Sequence, residues 1–247
     1  MKGETSDPLE RLLASARRSL TPTRSQTDRA WHELMSRMQA PAVEKLAARV
    51  KAMESGKARL RMGDRKDLLM LLLYVRGRMD RVAEGICGTT RILKLLFIAA
   101  NELNLAGLVR VPYRFVPYKY GPFAPDLYSD IEVLIRCGLV KRQQLDENGE
   151  AVIQQGESLD EGLGYNGRTT LYRLTRKGQT FAEALLRDAT RKKPGLESGL
   201  VVVKAQFGSM LLMDLLRYIY TRYPEYTTES LVLRKVLGLD RPQEPTD

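Results

Sequence analysis

The chain has 247 residues, of which 43% are hydrophobic, and its 40 basic and 30 acidic residues give a formal net charge of +10. This length supports one large domain or two small ones with a sizeable core. Its two cysteines, Cys87 and Cys137, exclude a disulfide-built scaffold and a four-thiolate zinc site. The positive charge favours a polyanion or an acidic protein as a partner.

The first 63 residues predict a basic helical extension. Trp31, Leu34 and Met38 follow the i, i+3, i+7 spacing of one helix face. Charged side chains interrupt the longest apolar run of the chain, residues 200–220, so we expect no membrane span. The N-terminal stretch has no apolar core of leader length, and the sequence therefore predicts a cytoplasmic protein.

Residues 64–190 predict the compact domain. Asp64 can cap a helix whose run Leu68–Val75 is apolar on every side, and a second largely apolar helix spans Arg91–Leu103. The run Tyr113–Tyr118 then resembles a short strand, which the Gly-Pro pair at 121–122 ends with a turn.

A third helix is predicted over residues 125–137. Proline suits its first position, Gly138 suits the position after its end, and Leu127, Ile131 and Leu134 form one apolar stripe. Two strands should follow, Leu139–Gln144 and Leu171–Thr175, and the threonine that ends the second can cap a further helix.

The segment between these two strands is acidic. Residues 145–164 contain six acidic side chains and no lysine or arginine, which predicts a long, mobile hairpin tip. After a linker at 191–199, a C-terminal helical segment should extend to residue 240, with one long helix from Leu200 to about Arg222 and a disordered tail at 241–247. The order of elements predicts a mostly α fold, with a winged helix-turn-helix-like core, a small β-wing and helical extensions at both ends.

Two runs carry a family resemblance, "TTRILKLLFIAANEL" and "YRFVPYKYGPFAPDLYSDIEVLIRCGLV". The matching positions are Lys94, Leu95, Tyr113, Phe115, Tyr120, Gly121, Pro122, Leu127, Asp130, Leu134, Gly138 and Leu139. Over roughly residues 86–178 the chain resembles the Panacea (SocA-like) family of winged-helix antitoxin and phage-associated proteins. The resemblance implies an antitoxin or adaptor that works through protein contacts. The chain departs from the family pattern by its N-terminal extension and its added C-terminal helical segment.

The sequence predicts no catalytic site, metal site or cofactor. His32 is the only histidine, and the chain has no P-loop, G-x-G-x-x-G or C-x-x-C motif. The carboxylate pair Asp126 and Asp130 has no third metal ligand or adjacent base near it in the sequence.

The third helix carries the first predicted binding site. Asp126, Asp130 and Glu132 lie on the helix that would enter the DNA major groove of a winged helix, where phosphates would repel them. Favourable placement near a helix N-terminus explains Asp126 but does less for Asp130. We therefore predict that Asp126 and Asp130 point outward and contact a basic surface of a protein partner. The other residues expected at this contact are Glu132, Tyr120 and the acidic tip from Asp146 to Glu161.

A second site is predicted on the basic N-terminal side, over residues 56–81. Its candidate nucleic-acid-binding residues are Lys57, Arg59, Arg61, Arg65 and Lys66. A solvated loop explains the same charges equally well. The aromatic cluster at 113–128 also leaves two interpretations open, a packed corner or a stacking platform for single-stranded nucleic acid.

The function expected from these features is that of a non-catalytic binding module. The family resemblance implies that it belongs to a phage-defence or toxin-antitoxin type system and acts as an adaptor or antitoxin on a toxin or defence-complex subunit. The alternative is a DNA- or RNA-binding winged-helix regulator that uses the basic N-terminal side.

Overall fold

The structure is a computed structural model that describes residues 24–56, 59–105, 108–146, 151–152 and 169–239. Within these residues the helices are α1 (Arg24–Glu54), α2 (Arg65–Tyr74), α3 (Thr89–Glu102), α4 (Asp126–Arg136), α5 (Arg176–Lys192), α6 (Leu196–Val202), α7 (Leu212–Arg222) and α8 (Leu233–Leu237). The strands are β1 (Ile86–Cys87), β2 (Val140–Leu145), β3 (Ala151–Val152) and β4 (Thr169–Leu174). The fold is mostly helical with one small antiparallel sheet. Lys57, most of the predicted acidic tip and the predicted tail lie outside the described residues.

The chain divides into two compact units, Met1–Glu44 and Lys45–Asp247. The division falls inside α1 and not at the predicted boundary between residues 63 and 64. Residues on both sides of the predicted boundary at 190 belong to the second unit. The C-terminal helices therefore share a compact unit with the sheet and with α2 to α5.

The sheet has the strand order β1-β4-β2-β3, and every neighbouring pair is antiparallel. Two predicted strands are confirmed within about two residues as β2 and β4. The predicted strand Tyr113–Tyr118 is wrong, and β1 provides the additional strand beside β4. Pro112 and Pro117 lack the N–H that strand pairing needs, and the described residues of this region form isolated bridges, Val116 with Phe123 and Lys119 with Gly121.

The core is centred on α2 and α3, as their apolar sequences predict. All six residues from Leu68 to Leu73 are buried, and each such side chain contributes about 1.5–3 kcal/mol relative to exposure. Asp64 caps α2 by accepting a hydrogen bond from the Lys66 backbone N–H at 3.0 Å. Asp67 completes a capping box by accepting from the Asp64 N–H at 2.9 Å.

The third predicted helix is confirmed as α4, and its stripe of Leu127, Ile131 and Leu134 is buried. Gly138 ends it in the left-handed region with φ 68°, a conformation that glycine adopts without steric cost. Thr175 caps α5 as predicted, because its hydroxyl accepts a hydrogen bond from the Gly178 N–H at 3.0 Å.

The predicted continuous helix over residues 200–222 is wrong. The α6 helix runs into a π-helical turn, Val203–Phe207, and a break precedes α7. A Cβ at Gly208 would lie 2.2 Å from the Lys204 carbonyl oxygen, so the backbone passes too closely here for a side chain. The π-helical turn directs Lys204 inward, where its ammonium donates to the carbonyls of Leu73 and Val75 at 2.8 Å each. It thereby satisfies acceptors at the C-terminal end of α2.

Candidate functional site

The carboxylates of α4 lie against the basic residues that begin α2. The Arg65 Nε donates to Asp130 Oδ2 at 2.6 Å, and its Nη1 lies 3.0 Å from Asp126 Oδ2. Lys66 Nζ lies 2.9 Å from Asp64 Oδ1 and 3.5 Å from Asp130 Oδ1. These five residues, Asp64, Arg65, Lys66, Asp126 and Asp130, are called the Asp130 cluster below.

The cluster is largely removed from solvent. The side chain of Asp130 is 5% exposed, whereas that of Asp126 is 47% exposed. Burial lowers the pKa of Arg65, but the hydrogen bond to Asp130 and the charges of both carboxylates more than offset this and raise it above its usual value. For Asp64 the signs are reversed. Burial raises the pKa of this carboxyl, but its hydrogen bonds from Lys66 lower the pKa further, and the net pKa lies below the usual value.

Tyr113 closes the buried side of the cluster. The Arg65 guanidinium lies over its ring at 5.6 Å from the centroid, and the phenol is near Asp130 without meeting hydrogen-bond geometry. Burial, followed by the Asp130 carboxylate, raises the pKa of this phenol well above its usual value. The phenol therefore remains un-ionised, and its ring covers the buried side of the ion pair between Arg65 and Asp130.

The expectation that Asp126 and Asp130 form an exposed acidic pair is wrong for Asp130. Its charge is neutralised inside the fold, and the residues that neutralise it are Arg65 and Lys66, two of the predicted nucleic-acid contacts. The two predicted sites thus meet and satisfy each other. Asp130 is 65 residues from Arg65 and 64 residues from Lys66 in sequence, so no local sequence pattern shows that these side chains meet.

The other predicted partner-binding residues remain accessible. Glu132 pairs with Arg142 of β2 at 2.7 Å, and both side chains are about one-third exposed. Tyr120 is partly exposed at the turn before α4. Among the predicted nucleic-acid residues, Arg59 and Arg61 are exposed and Lys57 lies outside the described residues.

Three aromatic rings form a ladder on the surface where α4 begins. The Tyr118 and Phe123 ring centroids are 4.8 Å apart, and those of Phe123 and Tyr128 are 5.8 Å apart. Tyr118 and Tyr128 are 41% and 42% exposed, and the neighbouring Val116 is 47% exposed. This aromatic ladder extends an apolar surface across the corner, whereas Tyr113 is packed in the core.

The corner beneath the ladder is held rigidly. The buried Lys94 of α3 donates to the Pro122 carbonyl at 2.8 Å. Gly121 has φ 78°, and a Cβ there would meet the Tyr220 ring at 2.7 Å, so the turn sits directly on that buried ring. Burial lowers the pKa of Lys94 to about 7. The sequence signal for this contact is a single lysine within the otherwise apolar run 92–100.

The sheet presents two cations side by side. Lys141 of β2 and Arg173 of β4 are register partners, and both side chains are exposed. Directly opposed like charges destabilise a strand pair. Arg173 and Arg91 also act electrostatically on Cys87, although burial dominates and raises the pKa of that thiol. Sequence reasoning missed this pair because it depends on the strand register.

Comparison with protein families, curated proteins and solved structures found no match to this chain. Within the part of the chain that the structure describes, no cluster of three His, Cys, Asp or Glu side chains could hold a metal ion. None of the helices described has the length and apolarity that crossing a membrane requires.

Proposed function

We propose that this chain is a non-catalytic protein-binding module built on a winged helix-turn-helix, and that it acts as an adaptor or antitoxin in a phage-defence or toxin-antitoxin type system. The order α2, β1, α3, α4, β2, β4 supports the winged-helix part of the proposal. The β1 strand comes between two helices in sequence and pairs with β4, the strand that returns from the hairpin. The resemblance of residues 86–178 to Panacea proteins supports the system type.

The aromatic ladder is the observation that carries the protein-binding role. Tyrosine is enriched among the few residues that dominate binding energy at protein interfaces, because its ring buries a large area at low entropic cost. The Tyr118 and Tyr128 rings are half-exposed, yet Phe123 between them and the Lys94 contact below hold the surface in one shape. Such a preorganised surface loses little entropy on binding.

The charge of α4 also favours protein over DNA. On the accessible surface of α4, Glu132 is paired with Arg142 and Asp126 is paired with Arg65. These carboxylates therefore add little net charge to this face of the helix. A helix that reads the major groove needs cations for the phosphates on either side. The partner surface that fits the ladder is apolar with a polar rim.

The test is a comparison of partner capture by the wild type and by the double variant Tyr118→Ser/Tyr128→Ser, using host extract with and without nuclease. Removing an interface hot spot costs about 2 kcal/mol or more, so the captured protein should fall at least tenfold. Leu211→Ser is the control, because Leu211 is 74% exposed on another part of the chain. Equal capture by the double variant, or capture that nuclease abolishes, would contradict the proposal.

A nucleic-acid-binding regulator is the second candidate, and the like-charged pair Lys141 and Arg173 is the observation that favours it. A phosphate backbone lying across the sheet would relieve their mutual repulsion. The contact proposed for this candidate is therefore the sheet, because Arg65 and Lys66, predicted from the sequence, are already paired with carboxylates.

A further inference from the structure

A cleft of about 450 Å³ lies between the end of α1, the loop that follows it, and α5. Three of its lining residues are arginines, Arg59, Arg187 and Arg191. None of its lining residues belongs to the Asp130 cluster, the aromatic ladder or the cation pair on the sheet. Its volume falls in the range of small-molecule sites, roughly 300–1,000 Å³.

The arginines exceed the carboxylates that could neutralise them. Among the described residues, no acidic side chain pairs with Arg59. Arg187 pairs with Glu183 one turn earlier on α5, but both side chains are about half exposed or more. An exposed pair of this kind contributes little, so the Arg187 guanidinium can exchange its partner at small cost.

Asp188 does not cancel the remaining charge. Its Oδ2 accepts from the Met62 N–H at 2.9 Å and lies 2.8 Å from Lys192 Nζ, so this carboxylate mainly anchors the loop after α1. Its Oδ1 lies 3.5 Å from Arg191 Nη2, at the limit of a hydrogen bond. Arg191 Nε donates to the Arg187 carbonyl at 3.0 Å, which fixes the side chain beside its neighbour one turn away.

Apart from Thr190, whose hydroxyl donates to the Leu186 carbonyl at 2.8 Å, the rest of the cleft wall is apolar. Met53, Leu60 and Ala184 line it between the arginines, and Leu60 is buried. Guanidinium groups match phosphate oxygens in a planar, two-bond geometry, and an apolar wall beside them suits the organic part of a ligand. Three cations around an apolar floor therefore fit a molecule that joins a phosphate to an apolar or aromatic group.

We propose that this arginine cleft binds a small organic phosphate of about mononucleotide size. The sequence predicted Arg59 as a polynucleotide contact. In the proposed site Arg59 also binds a phosphate group, but this phosphate belongs to a small organic molecule. Binding would also join the loop after α1 to α5 through a shared anion. The inference is independent of the protein partner proposed for the aromatic ladder.

Isothermal calorimetry of the full chain tests the site with three probes: adenosine 5′-monophosphate, adenosine and inorganic phosphate. The monophosphate should bind more tightly than either of the others, because it alone engages both the arginines and the apolar wall. The double variant Arg59→Gln/Arg187→Gln should weaken binding at least tenfold, because it removes two of the three charged donors to the phosphate. Melting curves should show that the variant is folded, because both side chains are at the surface.

Arg76→Gln is the matched control, because Arg76 also forms an exposed i, i+4 ion pair, with Asp80 at 3.3 Å, and does not line the cleft. Unchanged binding in this variant with weakened binding in the double variant supports the proposal. Equal binding of the monophosphate and adenosine, or equal affinity in wild type and double variant, would overturn it. Binding of a 20-nucleotide single strand without binding of the monophosphate would also overturn it and assign the arginines to a polynucleotide surface.

Discussion

A substitution in the Asp130 cluster can distinguish a structural role of Asp130 from the partner-binding role expected from the sequence. Asp130→Asn keeps the size of the side chain and removes its charge. Arg65 would then keep Asp126 as a carboxylate partner, and Lys66 would keep Asp64. Each basic group would lose the more deeply buried of its two carboxylate partners.

The expected cost follows from burial. Removing one partner from a fully buried ion pair costs about 3–5 kcal/mol, and an exposed pair contributes about 0–1 kcal/mol. The Asp130 and Arg65 side chains are 5% and 22% exposed, so the pair lies nearer to the buried limit. Because Arg65 and Lys66 keep other partners, we expect Asp130→Asn to lower the free energy of unfolding by about 2–3 kcal/mol.

The converse change should cost more. Arg65→Met leaves the buried Asp130 carboxylate with Lys66 at 3.5 Å as its remaining cation, and we expect stability to fall by about 3–4 kcal/mol. The double variant Arg65→Met/Asp130→Asn removes both charges, so its destabilisation should be smaller than the sum of the two single effects by about 1–3 kcal/mol.

Urea unfolding at pH 7 measures these free energies, provided that the slope with denaturant stays constant among the variants. Arg76→Gln serves as the exposed control and should stay within about 0.5 kcal/mol of the wild type. A change of less than about 0.5 kcal/mol for Asp130→Asn would refute the reasoning. Unchanged stability together with weakened partner binding would instead indicate that this carboxylate faces a partner.

Two further predictions concern other charged groups. If the second candidate function holds, Lys141→Glu/Arg173→Glu should weaken DNA binding across all sequences and reduce the salt slope by about one for each phosphate interaction removed. Filter binding at several salt concentrations measures this slope, and an unchanged slope would exclude the sheet as the DNA-binding surface. The folded-state pKa of Lys94 is about 7, below its ordinary value of 10.5. At a pH between these two values the unfolded chain binds one more proton at this residue than the folded chain does. Lys94 therefore makes the free energy of unfolding rise with pH in this window. Lys94→Met should remove up to about 1.4 kcal/mol per pH unit of that rise between pH 7.5 and 9. Denaturant unfolding of the variant and the wild type across this pH range measures the difference. An equal dependence of unfolding free energy on pH in both proteins would show that Lys94 stays charged.

Local patterns predicted the elements of the fold better than their contacts. The stripe through Leu127 and Leu134 correctly gave the buried face of α4, because periodicity depends only on near neighbours in sequence. The strand β1 was missed because a two-residue element has no periodicity to detect. The run 113–118 was misassigned as a strand because Pro112 before it and Pro117 within it lack the N–H that strand pairing needs.

The candidate sites depended on what sequence alone does not contain. Whether Asp130 is a surface charge or a buried one is decided by Arg65, which comes from a different helix. The opposition of Lys141 and Arg173 is likewise decided by the register of β2 against β4. Residue types identify the charged and aromatic side chains, but the pairing of distant elements determines which of these side chains remain exposed.

The contact of Lys204 with the end of α2 has a consequence for dissecting this protein. A shorter chain that stops after α5 would keep every helix and strand of the proposed winged-helix core, yet it would lack the ammonium that donates to the Leu73 and Val75 carbonyls. The same truncation would remove α6, which packs on α2, so the two carbonyls would turn to water and apolar side chains of α2 would lose part of their cover. A truncated protein would therefore need a new apolar cover at this place as well as a new donor.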